Sequence, residues 1–220
     1  PIQMGGALGK TWAAKHVWNK DPRDVCIVSI TPCTAKIFEA SRPEFIDAWK
    51  WNVEHNVIPK DSPVFPDIDY SLTTRDIAEV FRRLGIDPLK MPTTHEVKPT
   101  EKYTGAGTIF GCSGGVMEAA LRTAYFALAG KELDNKDIEV VRGHNNAIIE
   151  ATIPVPVKEL GGKIFEVRVC VVNGCNQGIA EVLHRVRVDK NRYHFIEVMN
   201  CPGGCVNGGG QPLQGAGSSW

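Results

Sequence analysis

Short apolar runs rich in β-branched residues alternate along the chain with longer segments whose apolar residues recur every three to four positions. The runs predict strands and the segments predict helices. The predicted strands are Val25–Ile30, Ile138–Val141, Ala147–Ile153, Phe165–Val172 and Tyr193–Val198. The predicted helices are Ala7–Trp18, Arg75–Gly85, Gly114–Gly130 and Gly178–Arg187. This alternation indicates an α/β fold with partly parallel strands and functional loops at their C-terminal ends.

Boundary signals refine this pattern. Thr73 or Thr74 is suited to cap the second helix, and Gly130 is suited to end the third. The segment Pro43–Asp69 is predicted to form a surface helix followed by a loop, and Pro88–Gly105 is predicted to be a loop.

Two cysteine segments follow predicted strands. "TPC" (Thr31–Cys33) follows the first strand, and "MNCPGGC" (Met199–Cys205) follows the last. We therefore expect the two segments to meet at one edge of a sheet.

Charge and hydropathy narrow the function classes. With 25 basic and 25 acidic residues the net charge is zero, so no nucleic-acid partner is expected. No run approaches the roughly 18 apolar residues of a spanning helix, so we expect no membrane insertion and a cytoplasmic protein. Because the chain begins Pro-Ile-Gln and ends Gly-Ser-Ser-Trp, we expect it to be a fragment.

Seven cysteines at this density favour metal or redox use over a disulfide framework. Cys201 and Cys205 lie in a glycine-rich segment that cannot pack as a core, so a disulfide, zinc or an iron-sulfur cluster would have to hold it. Zinc would take Cys33 and possibly His194 as further ligands. The spacing of the two cysteines alone supports a zinc site and an iron-sulfur cluster about equally. Cys26 and Cys170, inside predicted strands, are interpreted as small core residues.

Two further motifs are ambiguous on their own. "FGCSGG" (Phe110–Gly115) opens an apolar helix; its backbone amides could face an anion, or the turn could simply need positive φ. "TPCTAKIFEA" places Cys33, Lys36 and Glu39 on one helical face, which taken alone favours a buried thiol beside a surface ion pair.

Together, "TPCTAKIFEA", "GAGTIFGCSGGVMEAALRTAY" and "FIEVMNCPGGCVNGGGQP" resemble, in order and context, the catalytic domain of the iron-only (FeFe) hydrogenases. The resemblance covers nearly the whole chain. It implies a two-lobed α/β fold with mixed and parallel sheets flanked by helices. It also implies that residues 1–220 are part of one catalytic domain whose N-terminal part and C-terminal tail are missing.

The resemblance implies an H-cluster, in which a four-iron four-sulfur cluster is joined to a diiron unit that carries carbon monoxide, cyanide and a dithiolate. It implies that Cys33, Cys201 and Cys205 are metal ligands, with Cys205 as the bridge to the diiron unit. The implied catalytic and pocket residues are Lys36, Glu39, Met199, Phe110, Phe195 and Gln3. The implied cofactor-binding backbone lies at Pro32, Thr34, Ala35, Gly111, Gly114 and Gly115.

The sequence departs from the family pattern at several points. Thr-Ser-Cys-Cys-Pro, which supplies the fourth cluster ligand and the proton-relay cysteine, is absent, so we expect the chain alone to be inactive. Thr31 replaces a frequent Met, and Cys112 replaces a small residue. The alternatives are a hydrogen-sensing homologue, a hydrogenase-like cluster assembly protein and, from a third class, a zinc-stabilised interaction module.

The resemblance also implies partners. These are an electron carrier such as ferredoxin or an electron-transfer domain or subunit, the missing N-terminal part of the domain, and maturation proteins. Additional four-iron four-sulfur clusters would lie in domains outside this chain.

Overall fold

The computed structural model describes residues 1–93, 104–134, 138, 141 and 147–212. The chain divides into two compact units. The first comprises Pro1–Glu101 with Gly209–Trp220, and the second comprises Lys102–Gly208. No helix in the described ranges is long and apolar enough to cross a membrane.

Within the ranges that the structure describes, the first unit combines five α-helices with a two-stranded parallel sheet. Val28 in the first strand pairs with Tyr70 in the second, and Thr31 pairs with Thr73. A π-helical turn, Gly9–Ala13, joins the first two helices. The elements are α1 (Ile2–Leu8), α2 (Ala14–His16), β1 (Val28–Thr31), α3 (Ala35–Ala40), α4 (Asp47–Glu54), β2 (Tyr70–Thr73) and α5 (Thr74–Leu84).

Buried charges organise this unit. Lys10, only 1% exposed, donates from Nζ to Asp69 Oδ1 and to the Pro66 carbonyl, both at 2.8 Å. Asp67, also buried, accepts hydrogen bonds from the backbone amides of Asp47 and Ala48 at the start of α4. The loop before β2 therefore supplies buried anchors, which the expectation of a surface helix and loop did not include.

The predicted cap of α5 is confirmed. Thr73 accepts a hydrogen bond from the Asp76 amide at 3.1 Å, and the Asp76 carboxylate accepts one from the Thr73 amide at 2.8 Å. These reciprocal bonds form a capping box. They lower the pKa of the Asp76 carboxyl below its ordinary value, the bond from the Thr73 amide being the main cause.

Among the described residues, the second unit is a three-stranded sheet covered by helices on both faces. Its elements are α6 (Gly105–Ile109), α7 (Gly115–Ala129), β3 (Ile148–Val157), β4 (Lys163–Asn173), α8 (Cys175–Val188) and β5 (Phe195–Met199). The strand order is β3-β4-β5, with β3 antiparallel and β5 parallel to β4.

Alternate residues of β4 face different helices. Val169 and Val171 pack in the core that contains Met117 and Leu121 of α7. Cys170 and Val172 pack with Val182 of α8 on the opposite face. The α/β class, with mixed and parallel sheets flanked by helices, is confirmed, and Gly130 ends α7 in a left-handed conformation as predicted.

Several predicted elements differ from the structure. β3 extends to Val157 through Pro154 and Pro156, which is possible because β3 lies at an edge of the described sheet. β2 was not predicted, since its four residues gain their stability by pairing with β1. Cys26, predicted as a core residue, is exposed and precedes β1.

Two predicted segments fall partly outside the described residues. Of the predicted strand Ile138–Val141, only its two end residues are described; both are buried and helical in backbone. The loop Pro88–Gly105 is described to residue 93 and from residue 104, with a 3-10 turn at Pro88–Lys90.

The expectation that the two cysteine segments meet at one edge of one sheet is wrong. "TPC" ends β1 of the first sheet, and "MNCPGGC" follows β5 of the second sheet. Parallel strands alone could not show that β1 and β5 belong to different sheets.

Candidate functional site

The second cysteine segment, residues 201 to 208, forms a tight loop directly after β5, and we call it the cysteine loop. Gly203 and Gly204 have φ values of +81° and +106°, which side-chain-bearing residues rarely adopt. The Gly204 amide donates to the Cys201 carbonyl at 3.0 Å, and the Gly208 amide donates to the Cys205 carbonyl at 2.9 Å. Gly203 and Gly204 therefore let the chain reverse between the two cysteines, and a 3-10 turn at Cys205–Asn207 follows.

The cysteine loop is hydrogen-bonded to the "FGCSGG" turn before α7. The Ser113 amide donates to the Gly203 carbonyl and the Val206 amide donates to the Gly111 carbonyl, both at 3.0 Å. A Cβ atom at Gly204 would lie 2.5 Å from Gly111 O and Ser113 N. The two glycine-rich segments are thus in direct backbone contact, which requires glycine at position 204.

The end of β4 holds the cysteine loop from another side. Asn173 Oδ1 accepts a hydrogen bond from the Gly203 amide at 2.7 Å, and the Asn173 side chain is nearly buried. The Gly174 amide donates to the Met199 carbonyl at 2.9 Å. Both the N–H and the C=O of Gly203 are therefore bonded within the protein.

A buried carboxylate lies beside this arrangement. Glu197, in the middle of β5, is 5% exposed and accepts hydrogen bonds from the amides of Gly114 and Met117, both at 2.6 Å. Gly114 immediately precedes α7, and Met117 lies in its first turn. Sequence reasoning missed this role, although a glutamate between apolar residues of a strand is a usable signal.

The helix N-terminus is consequently satisfied from inside the protein. The Gly114 amide bonds Glu197, and the Gly115 amide donates to the Cys112 carbonyl at 3.0 Å. The bonding pattern does not direct these two amides to an external anion. Cofactor binding at Gly114 and Gly115 stays a prediction from the resemblance.

Three pocket candidates flank the cysteine loop and the turn. Met199 ends β5 and is buried, whereas Phe110 and Phe195 are partly exposed. Gly111 contacts the loop closely, since a Cβ there would lie 2.9 Å from Val206 Cγ1. The second unit therefore brings Cys201, Cys205, Gly111 and Met199 into one neighbourhood.

The first cysteine segment lies in the first unit. Cys33 is half-buried between β1 and α3, and its carbonyl accepts hydrogen bonds from the Lys36 amide and the Thr31 hydroxyl, both at 3.3 Å. Lys36 Nζ donates to the Glu39 carboxylate. The predicted ion pair on one helical face is confirmed, and it is partly buried.

The "GGGQP" segment packs against this same loop. The Gly210 amide donates to the Pro32 carbonyl at 2.7 Å, and Gly209 lies against Thr34. A Cβ at Gly210 would lie 2.5 Å from Cβ of Thr73. Glycine at 210 is therefore required by the backbone of the first unit, near Pro32, Thr34 and the following Ala35.

Gln3 is the third feature of the first unit. Both amide atoms of its side chain are buried, and neither has a hydrogen-bond partner among the residues that the structure describes. A buried amide without partners costs free energy. The Gln3 amide is thus available to a further hydrogen-bonding group.

The cysteines and His194 bear on the disulfide and zinc alternatives for the cysteine loop. None of the seven cysteines forms a disulfide. His194, a possible zinc ligand, accepts a hydrogen bond at Nδ1 from the Arg168 amide. Burial raises the pKa of the Cys170 thiol to about 11, so this residue stays a neutral core side chain as predicted. Among the described residues no three His, Cys, Asp or Glu side chains form a group that could by itself hold a metal ion.

Residues 1–209 match the family described as the iron only hydrogenase large subunit, C-terminal domain. The chain belongs to this hydrogenase family. The chain is 44% identical over 213 residues to the periplasmic Fe hydrogenase large subunit of Nitratidesulfovibrio vulgaris, an alignment that covers 97% of this chain and 45% of that protein. The hydrogenase resemblance inferred from the three motifs is confirmed.

A solved structure agrees with the hydrogenase fold. The apo form of a variant FeFe-hydrogenase, HydA1 from Chlamydomonas reinhardtii, gives a TM-score of 0.71 at 31% identity and covers 97% of this chain and 55% of that chain. A more distant relative, the cytosolic Fe-S cluster assembly factor narfl of Xenopus tropicalis, is 29% identical over 99% of this chain and 42% of its own length. The chain spans less than half the length of these two curated relatives.

Proposed function

We propose that the protein containing this chain interconverts protons, electrons and hydrogen at an H-cluster. The observation that carries this proposal is the cysteine loop, whose two thiols are presented on a backbone fixed by Asn173 and by the "FGCSGG" turn. Thiolates are the ligands that iron-sulfur clusters take. Membership of the hydrogenase family supports a cluster over zinc.

The residues present fit such a group. Gly204 lies too close to the backbone of Gly111 and Ser113 for a side chain, and the buried side-chain amide of Gln3 has no partner among the described residues. By the resemblance, Cys33, Cys201 and Cys205 supply three of four thiolates, and Cys205 also bridges to the diiron unit. When bound, the H-cluster supplies the redox chemistry of hydrogen.

The remaining residues shape the pocket. Lys36 would direct a charged donor at an anionic ligand, and Glu39 fixes the position of its ammonium group. Met199, Phe110 and Phe195 would exclude water. Backbone groups at Pro32, Thr34, Ala35 and Gly111, with the turn at Gly114 and Gly115, would line the cofactor.

Partners follow from the same proposal. An electron carrier such as ferredoxin, or an electron-transfer domain or subunit, would exchange electrons with the cluster. Maturation proteins would deliver the diiron unit, and the rest of the domain would add the fourth thiolate. A cytoplasmic location stays a prediction, and the N. vulgaris relative is named as periplasmic.

Infrared spectroscopy of the full-length protein, produced with hydrogenase maturation proteins, tests the proposal. We expect bands from iron-bound carbon monoxide and cyanide, together with hydrogen evolution from a reduced electron donor. Full iron loading without those bands would contradict it. That result would favour cluster assembly, for which the narfl-type relatives are the specific support. The bands without appreciable turnover would favour a hydrogen sensor.

A further inference from the structure

Glu197 is a buried anion beside the cysteine loop. Its carboxylate lies on β5 in register with Val171, a residue of the apolar core against α7. Both of its oxygens accept short hydrogen bonds from backbone amides, and neither donor carries a countercharge. Burying a carboxylate in this way costs free energy unless the site compensates for it.

The compensation comes from the start of α7. The amides of Gly114 and Met117 lie at the positive end of the helix, where a negative charge is stabilised. Glu197 therefore serves α7 as an N-terminal cap supplied from a strand some 80 residues later in the sequence.

The same contacts connect Glu197 to the cysteine loop through the turn before α7. Glu197 lies two residues before Met199 and four before Cys201. The loop bonds Ser113 through the Gly203 carbonyl, and Ser113 immediately precedes Gly114, which bonds Glu197. The position of Cys201 is thus tied to the helix by its own strand and, through Gly203, by the turn.

We propose that Glu197 is a positioning residue for the cysteine loop and that its buried charge lowers the reduction potential of the iron-sulfur cluster bound there. The proposal rests on the proposed function, because it needs a cluster on Cys201 and Cys205. Reduction adds negative charge to a cluster, and a nearby anion in a low-dielectric core makes that addition less favourable. Removing the anion therefore raises the potential.

Two substitutions separate charge from structure. Glu197→Gln keeps the shape, loses the charge and leaves one amide hydrogen facing a backbone N–H. Glu197→Asp keeps the charge and shortens the reach to Gly114 and Met117. Glu166→Gln, an exposed site on the neighbouring strand, is the matched control.

The readout is a redox titration followed by electron paramagnetic resonance on the full-length protein loaded with iron and sulfide only. The signal to follow is the one that Cys201→Ser removes. We expect a positive shift for Glu197→Gln, no comparable shift for Glu197→Asp, and none for Glu166→Gln. Hydrogen exchange of the Gly114 and Met117 amides should accelerate at least tenfold in both Glu197 variants.

An unchanged potential in Glu197→Gln, or an equal shift in Glu197→Asp, would overturn the electrostatic role. If Glu197→Gln does not fold, Asn173→Asp replaces it: this variant keeps the acceptor for the Gly203 amide and adds a charge, so the potential should fall, and no change would overturn the proposal. Wild-type protein that binds no cluster would instead refute the proposed function. Slow exchange of both amides in every Glu197 variant would refute the positioning role itself.

Discussion

The two cysteine-bearing loops are built differently. The loop around Cys33 follows β1, a strand of a two-stranded sheet whose Val28 and Ile30 side chains are about half exposed. The cysteine loop with Cys201 and Cys205 follows β5, a strand of a sheet that packs against helices on both faces. The first loop has two 3.3 Å bonds to the Cys33 carbonyl, whereas the second is bonded at both polar groups of Gly203.

The difference indicates where the geometry of the site is set. The second unit fixes the positions of its two thiols through its own buried side chains and backbone. The first unit fixes the helix that carries Lys36 and the strand before Cys33. Cys33 is half-buried, as Cys201 is, whereas Cys205 is exposed, so the two loops differ in their backbone bonding and not in the burial of their thiols. Except at Gly210, where a side chain would meet Thr73 and the Pro32 carbonyl, we expect substitutions in the cysteine loop to cost more stability than matched ones near Cys33.

The largest contrast should come from two glycines. Gly204→Ala forces a side chain into a left-handed conformation and against the carbonyl of Gly111, so we expect a loss of about 3 kcal/mol of unfolding free energy. Gly209→Ala, beside Thr34, meets only an ordinary 3.7 Å contact and should cost less than about 0.5 kcal/mol. Urea unfolding of both variants measures the difference. Equal losses of unfolding free energy in the two variants would contradict the expected difference between the two loops.

A second pair probes side-chain hydrogen bonds. Asn173→Ala leaves the Gly203 amide without its acceptor in a nearly buried place, which should cost about 1–2 kcal/mol. Thr31→Ala removes a long bond from a half-buried hydroxyl and should cost less than about 0.5 kcal/mol. Thermal unfolding of the two variants measures both losses. Asn173→Asp, which keeps the acceptor for the Gly203 amide, is the control for Asn173→Ala.

The capping box of α5 is a local feature of the first unit. Thr73→Ala removes the acceptor for the Asp76 amide and should cost about 1 kcal/mol. Thr74→Ser, one residue later in the same helix, is the control and should have a smaller effect. Chemical denaturation followed by circular dichroism gives both values, and a larger loss for Thr74→Ser would show that the cap is misassigned.

The smallest expected effect is a dependence on pH. The pKa of Asp76 is lower in the folded state than in the unfolded state. Its contribution to the free energy of unfolding is therefore fully present above the ordinary carboxyl pKa near 4 and is lost as the pH falls through the lower folded pKa. Asp76→Asn should therefore lose less unfolding free energy between pH 6 and pH 3 than the wild-type protein does. Melting temperatures of both proteins across that pH range test this prediction. A larger drop in the variant than in the wild type would contradict the predicted direction of the pH dependence.

Local signals allowed much of the fold to be predicted. The cap at Thr73 and the end of α7 at Gly130 depend on residues a few positions apart, so sequence spacing is sufficient. The short strand β2 could not be found in this way, because its partner β1 lies 42 residues earlier. Its stability comes from pairing and not from its own pattern.

The candidate site shows the same limit. The resemblance implies Cys33, Cys201 and Cys205 as cluster ligands, and this assignment stays a prediction. The roles of Glu197 and Asn173 could not be predicted, since their partners at Gly114 and Gly203 are 83 and 30 residues away. The "FGCSGG" turn is interpreted from its sequence either as a turn that needs positive φ or as a set of amides facing an anion. Gly114 has a φ of +82°, and its amide bonds the Glu197 carboxylate.

The most direct test of the central claim is the iron and acid-labile sulfide content of the full-length protein after reconstitution, compared among cysteine variants. We expect Cys33→Ser, Cys201→Ser and Cys205→Ser each to lose one four-iron cluster per chain. Cys26→Ser, at an exposed site, should retain it. Full cluster content in Cys201→Ser or Cys205→Ser would contradict the account of the cysteine loop as a cluster-binding site.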